Sequence, residues 1–187
     1  LFFVSLPVFN RTHREKRSVP LAPVHEVLES EFQSGLVSAG QAADPEWASA
    51  YWNHPLREIP GDDRPVFACA LYVDGISYSR QTSVGKNESA IVFLYNLCSG
   101  RRVLPGTLQK SLLCKCGCRG YDTTFGVFSF LEYCLSAAAH GYRPGLRWDG
   151  PEFAPDSKLL ELYKAKPRMG ARNMVTQIKG NWVEFSS

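Results

Sequence analysis

The run CALYVDGISYS, residues 69–79, is apolar as far as Val73, then meets Asp74-Gly75 and turns polar. With Val66, Phe67 and Ala68 ahead of it, the stretch is a continuous apolar segment rich in strand formers, which predicts a strand covered on both faces. Its end admits two readings. Asp-Gly is a common turn dipeptide, and a carboxylate at the end of a buried strand is also where a hard divalent cation finds an oxygen ligand.

The pattern repeats outward from this strand. AIVFLYNL at 90–97 has the same signature, CSGRR makes a turn, and VLPGTLQKSLL follows as a third strand in which Pro105 and Gly106 predict an edge or a bulge. Short loops make these an antiparallel meander. A long helix follows, TTFGVFSFLEYCLSAAAH, with Phe125, Phe128, Leu131 and Leu135 at helical spacing and Gly141 as its stop. A Pro/Gly-rich loop then leads to a shorter helix over about 156–166, and VTQIKGNWVEF at 175–185 is the last strand. Residues 1–63 have a different texture. HEVLESEFQ predicts a helix closed by Gly35, PEWASAYW one entered at Asp44-Pro45, and PGDDRP marks a boundary. The expected organisation is a helical or irregular N-terminal extension over 1–63 and an α/β or α+β layered core over 64–187.

Composition narrows the function classes. Lys and Arg number 21 against 18 acidic residues, so the net charge of +3 does not by itself demand a polyanionic partner. Basic residues nevertheless cluster at Arg11–Arg17, at Arg101–Arg119 and at Lys158–Lys179. No segment reads as membrane-spanning, since LFFVSLPVF is interrupted by Pro7 and falls short of about 20 apolar residues. Neither a Walker motif nor a dinucleotide glycine fingerprint is present. The histidines suggest no catalytic constellation; His140 closes a helix, where it complements exposed carbonyls.

Six cysteines stand at 69, 98, 114, 116, 118 and 134. On a straight strand the thiols of CKCGC would lie about 7 Å apart, too far for one tetrahedral ion, but Gly117 lets the chain fold back. Cys114, Cys116 and Cys118 are therefore candidate zinc ligands, with Cys98 or a histidine as the fourth. Cys69 and Cys134 read as core thiols. An even count also permits disulfides, and two sequons, at Asn10 and Asn87, with the dibasic REKRS, would fit a secreted protein.

From about Arg64 to Phe185 the chain resembles transposase-derived proteins with a ribonuclease H-like core, nearest to the Kyakuja-Dileera-Zisupton group. The residues that carry the likeness are LYVDGISYS, SGRRVL, LCKCGCRGYDTTFGVFSFLEYCL, GYRPGLRWDG and TQIKGNWVEF. The resemblance implies a central first strand and three acidic residues that hold two Mg²⁺ or Mn²⁺ ions for DNA strand cleavage and joining. Asp74 matches the first acidic position. Asn181 stands at the second, with Glu184 the nearest carboxylate, and the third belongs to a helix further downstream. The implied domain is truncated or degenerate, catalytically incomplete and nuclear.

DNA would be met mainly at its phosphates by Arg101, Arg102, Lys115, Arg119, Lys164, Lys166 and Arg168. A non-catalytic, zinc-stabilised interaction module inside the cell explains the same cysteines without any chemistry. The secreted, disulfide-bonded protein is the third expectation.

Overall fold

In the computed structural model, which describes residues 2–10, 13–36, 45–77, 88–97 and 100–180, the apolar run becomes strand β3 (Val66–Ser77). It lies inside a four-stranded sheet. β4 (Ser89–Leu97) pairs antiparallel with one side of β3, β5 (Arg102–Gln109) continues the meander, and β6 (Arg172–Gly180) lies parallel on the other side. The order is β5-β4-β3-β6, so the chain is a mixed α/β structure on one mixed sheet. The interruption at Pro105-Gly106 does fall on an edge strand, and the β4–β5 register shifts between Phe93 and Tyr95.

Asp74 does not end its strand. It pairs with Val92 inside the ladder and β3 runs on to Ser77, so both a turn at Asp74-Gly75 and a strand ending on a carboxylate are corrected. Alternation along β3 sets the two faces of the sheet. Phe67, Cys69, Leu71 and Val73 point into the main core, while Ala68 and Ala70 are covered from the other side by Tyr51. A run buried on both faces shows no periodicity, which is why it reads as continuous.

The long helix α3 (Tyr121–His140) crosses the core face. Its buried positions are Thr123, Val127, Phe130, Leu131, Cys134, Ala137 and Ala138, whereas Phe125 and Phe128 are exposed. The predicted stripe is thus rotated, and only Leu131 belongs fully to both. The cause is a partner absent from the sequence reading. Residues 2–21 form a hairpin, β1 (Phe2–Asn10) with β2 (His13–Leu21), and β1 packs on α3. Phe2, Val4, Leu6 and Val8 are buried on the inner face of β1. Gly126 permits the approach, because a Cβ there would lie 2.6 Å from Leu6 Cδ2.

Two helices follow the hairpin, α1 (Val24–Gln33) and α2 (Pro45–Trp52), and α4 (Lys158–Ala165) precedes β6. Val24 and Leu28 of α1 belong to the same core cluster as β3 and α3, so the core is continuous across the 63/64 boundary.

α1 also buries His25 completely, with Nε2 3.0 Å from the Tyr163 hydroxyl and Nδ1 left without a partner. Desolvation lowers its pKa from 6.5 to about 4, and the Arg143 charge assists while Glu26 opposes. The unfolded chain therefore binds a proton that the folded chain refuses between those values. Stability contributed by neutral His25 is present above about pH 6.5 and is lost as pH falls through about 4. Urea unfolding across this window should show stability rising with pH by up to about 1.4 kcal/mol per unit, and His25→Gln should flatten that slope. An unchanged slope in the variant would assign the dependence to another group.

Candidate metal centre and basic surface

The segment between β5 and α3 folds the three clustered cysteines back on themselves. After a 3-10 turn at Lys110–Leu112, Gly117, Arg119 and Gly120 adopt positive φ, of 98°, 53° and 85°. The Gly120 amide donates to the Cys114 carbonyl (2.9 Å) and the Tyr121 amide to the Cys118 carbonyl (2.9 Å). This compact loop is docked from both sides. Thr123 accepts from the Cys114 amide (2.9 Å) and its own hydroxyl donates to the Pro7 carbonyl of β1 (2.5 Å).

The result is a group of four ligating side chains. The sulfurs of Cys114, Cys116 and Cys118 and a carboxylate oxygen of Asp122 all lie within 4.8 Å of one another. Cys114 Sγ and Cys116 Sγ are 3.1 Å apart, and Cys116 Sγ is 3.7 Å from Asp122 Oδ2. Tetrahedral zinc with bonds of about 2.3 Å to sulfur and about 2.0–2.2 Å to oxygen sets its ligands roughly 3.5–3.8 Å apart. The donor set suits zinc in kind, the Cys116–Asp122 pair matches that spacing and the Cys114–Cys116 sulfurs sit closer than it. Burial is graded, from Cys114 at 1% exposure to the exposed Cys116. The Asp122 backbone amide lowers the Cys118 pKa, favouring the thiolate that binds metal, while the contact with Cys114 pushes Cys116 up to about 11.

The fourth member is Asp122, in the first turn of α3, not a histidine. Cys98, the other expected ligand, lies outside the described residues. The signal for Asp122 was its position four residues after Cys118, which only the onset of α3 at Tyr121 turns into proximity. Cys69 and Cys134 are buried core thiols; Cys69 donates to the Met174 carbonyl (3.3 Å), and burial pushes Cys134 up to about 12. All five described cysteines are free thiols.

Asp74 has different surroundings. It is half-buried, accepts from the Tyr72 hydroxyl (2.7 Å) and from the Gly75 amide (2.8 Å), and raises the Tyr72 pKa through that bond. Among the described residues it belongs to no group of three ligating side chains. Gly180, the last described residue of β6, pairs with Val73 beside it. Asn181 and Glu184 lie outside the described residues.

The residues expected to meet nucleic acid divide among separate places. Lys115 and Arg119 belong to the cysteine loop, with Lys115 Nζ 5.8 Å from the Phe9 ring centroid. Lys164, Lys166 and Arg168 lie in or just after α4. Arg168 is 3.5 Å from Asp62, and the Lys166 carbonyl accepts from Arg143 (2.6 Å), just beyond the C-terminal end of α3. The two sets thus lie near opposite ends of α3, a 20-residue helix about 30 Å long. Arg102 begins β5, and Arg101 pairs with Glu31 on α1 (2.6 Å).

The fold also joins two basic clusters that are distant in sequence. Arg14 of β2 pairs with Asp122 (2.9 Å), which brings the hairpin's basic residues to the cysteine loop. Elsewhere α3, β3 and β6 enclose an apolar groove of about 810 Å³, lined by residues such as Leu71, Val73, Leu135, Met174 and Ile178. No described helix is long and apolar enough to cross a membrane. Comparison with known protein families, with curated proteins and with solved structures finds no match.

Proposed function

We propose that this chain is a zinc-stabilised, ribonuclease H-like domain of transposase ancestry that associates with nucleic acid through its phosphates. The observation that carries the reading is the meeting of the Cys114/Cys116/Cys118/Asp122 group with the basic hairpin through Arg14. Bound zinc would cross-link the loop to α3 and supply no chemistry beyond that. The sheet order agrees with the reading, since β3 is interior, parallel to β6, and carries Asp74 next to the end of β6. An intracellular setting belongs to the same reading, since a reducing compartment would keep the three clustered thiols available as ligands.

Duplex DNA binding measured over a range of salt tests the association. The affinity should fall steeply as salt rises, and Lys115→Gln should reduce the slope by about 1. Absence of binding at low salt would favour the second reading, an interaction module without nucleic acid, which the apolar groove supports.

Asp74 is proposed as a weak ligand for Mg²⁺ or Mn²⁺, being the one acid of the implied set among the described residues. A single carboxylate leaves most of a six-coordinate shell to water. Calorimetric titration with Mn²⁺ should therefore show weak binding that Asp74→Ala abolishes, with no metal-dependent strand cleavage in either protein. Cleavage that disappears in Asp74→Ala would show a complete catalytic set.

A further inference from the structure

At its N-terminal end α3 carries two aromatic rings that the core does not use. Tyr121 and Phe125 are 61% and 55% exposed, and they lie stacked with centroids 5.5 Å apart and planes inclined by 28°. The next ring along, Phe128, packs edge-on against Phe93 of the sheet and is less exposed, at 37%, so Tyr121 and Phe125 are the most open rings of the helix. Two rings offer far less area than the roughly 800 Å² per partner of a stable protein interface. They are also flanked by charge. Lys115 and Arg119 are exposed in the loop that enters the helix, and Arg14 offsets the Asp122 carboxylate between the two rings in sequence.

Exposed aromatic faces beside cationic side chains fit one class of ligand closely. Bases of an unpaired strand present π-faces that can stack on such rings, and the intervening phosphates then meet the Lys and Arg side chains. A duplex cannot do this without unstacking a base step, at a cost of a few kcal/mol. We infer that Tyr121 and Phe125 form a stacking platform for single-stranded nucleic acid, with Lys115 and Arg119 taking the phosphates. The inference rests on the nucleic-acid reading given above and specifies the strand state that this end of the molecule recognises.

Fluorescence anisotropy with zinc-loaded protein tests it, using labelled oligothymidylate and oligouridylate of about 16 nucleotides and a DNA duplex of the same length. Single strands should bind about tenfold more tightly than the duplex at equal salt. Tyr121→Ala and Phe125→Ala should each weaken single-strand binding about tenfold and leave duplex binding unchanged, whereas Tyr121→Phe, which keeps the ring, should bind as the parent does. Lys115→Glu with Arg119→Glu should weaken both. Unchanged zinc content and circular dichroism in the alanine variants would exclude misfolding as the cause. Aromatic dependence with either single strand supports the platform, and comparing the two polymers separates DNA from RNA. Alanine variants that bind single strands normally, while the charge variants do not, would overturn the platform and leave the nucleic-acid reading standing. Failure of every polymer to bind would overturn both.

Discussion

Chelating zinc from the purified protein is expected to lower its melting temperature by roughly 6–12 °C, and Cys114→Ser is expected to do at least as much. The loop from Leu113 to Gly120 spends three positive-φ residues on its fold-back, one of them Arg119, which has a Cβ. Backbone bonds close the turn, and ligation would add a cross-link from all three cysteines to Asp122 of α3. In small zinc-dependent modules the metal supplies about 10–16 kcal/mol because it drives folding of the whole unit. Here Thr123 already ties both Cys114 and Pro7 to the start of α3, so a fraction of that, about 3 kcal/mol, is the reasonable expectation. At about 2–4 °C per kcal/mol for a chain of this size the stated range follows.

The ranking of variants tests the site more sharply than the mean. Cys114→Ser buries a hydroxyl where a sulfur sat at 1% exposure, and Cys116→Ser alters an exposed group, so the first should cost more. Asp122→Asn should fall between them, because it weakens the ligand and breaks the pair with Arg14. Elemental analysis should return about one zinc per chain, falling in all three ligand variants. If metal-free and zinc-incubated protein melt alike, the cluster is three thiols and a carboxylate with no structural ion.

What the sequence disclosed depended on how each element is buried. β3 and β4, covered on both faces, were visible as apolar runs, and the parallel placement of β6 beside β3 follows from a strand that returns after a helical crossover. The hairpin was not visible, although β1 alternates cleanly through Phe2, Val4, Leu6 and Val8. Pro7 masks that alternation, and β2 buries only Val19 and Leu21, while His13 to Ser18 are polar and largely exposed. Without the hairpin the face of α3 is also misplaced, since β1 takes the side that carries Thr123, Gly126 and Phe130. At the candidate site the three cysteines were legible from Gly117 and their spacing. Asp122 was not, because its role depends on where the helix begins and on Arg14, which lies 108 residues away.

Asp62→Ala is expected to destabilise the protein by about 3–5 kcal/mol, with a pH signature distinct from that of His25. Asp62 is a 10% exposed carboxylate between two arginines that are more deeply buried, Arg64 at 7% and Arg172 at 1%. Arg64 donates to both its oxygens, at 2.8 and 2.6 Å, and reaches on to the carbonyls of His140 (3.0 Å), Gly141 and Met169 (3.1 Å). Arg172 Nε lies 3.2 Å from Asp62 while its terminal nitrogens donate to the Leu56 and Arg57 carbonyls, at 2.6 and 2.9 Å. One carboxylate therefore compensates the charges that fasten the end of α3 and the start of β6 to the preceding loop. Removing it strands two guanidinium groups out of water, whereas Asp62→Ala with Arg172→Met should recover part of the loss. The Arg64 guanidinium holds the Asp62 carboxyl well below its ordinary value of 3.8. Its contribution is accordingly complete above about pH 4 and is lost only as pH falls further, toward the folded value. Acid titration of the parent should show two losses, one through the histidine window between about 6.5 and 4 and a second below it. Asp62→Asn should abolish the second and spare the first; if both losses persist in that variant, the acid stability of this fold resides in other carboxylates.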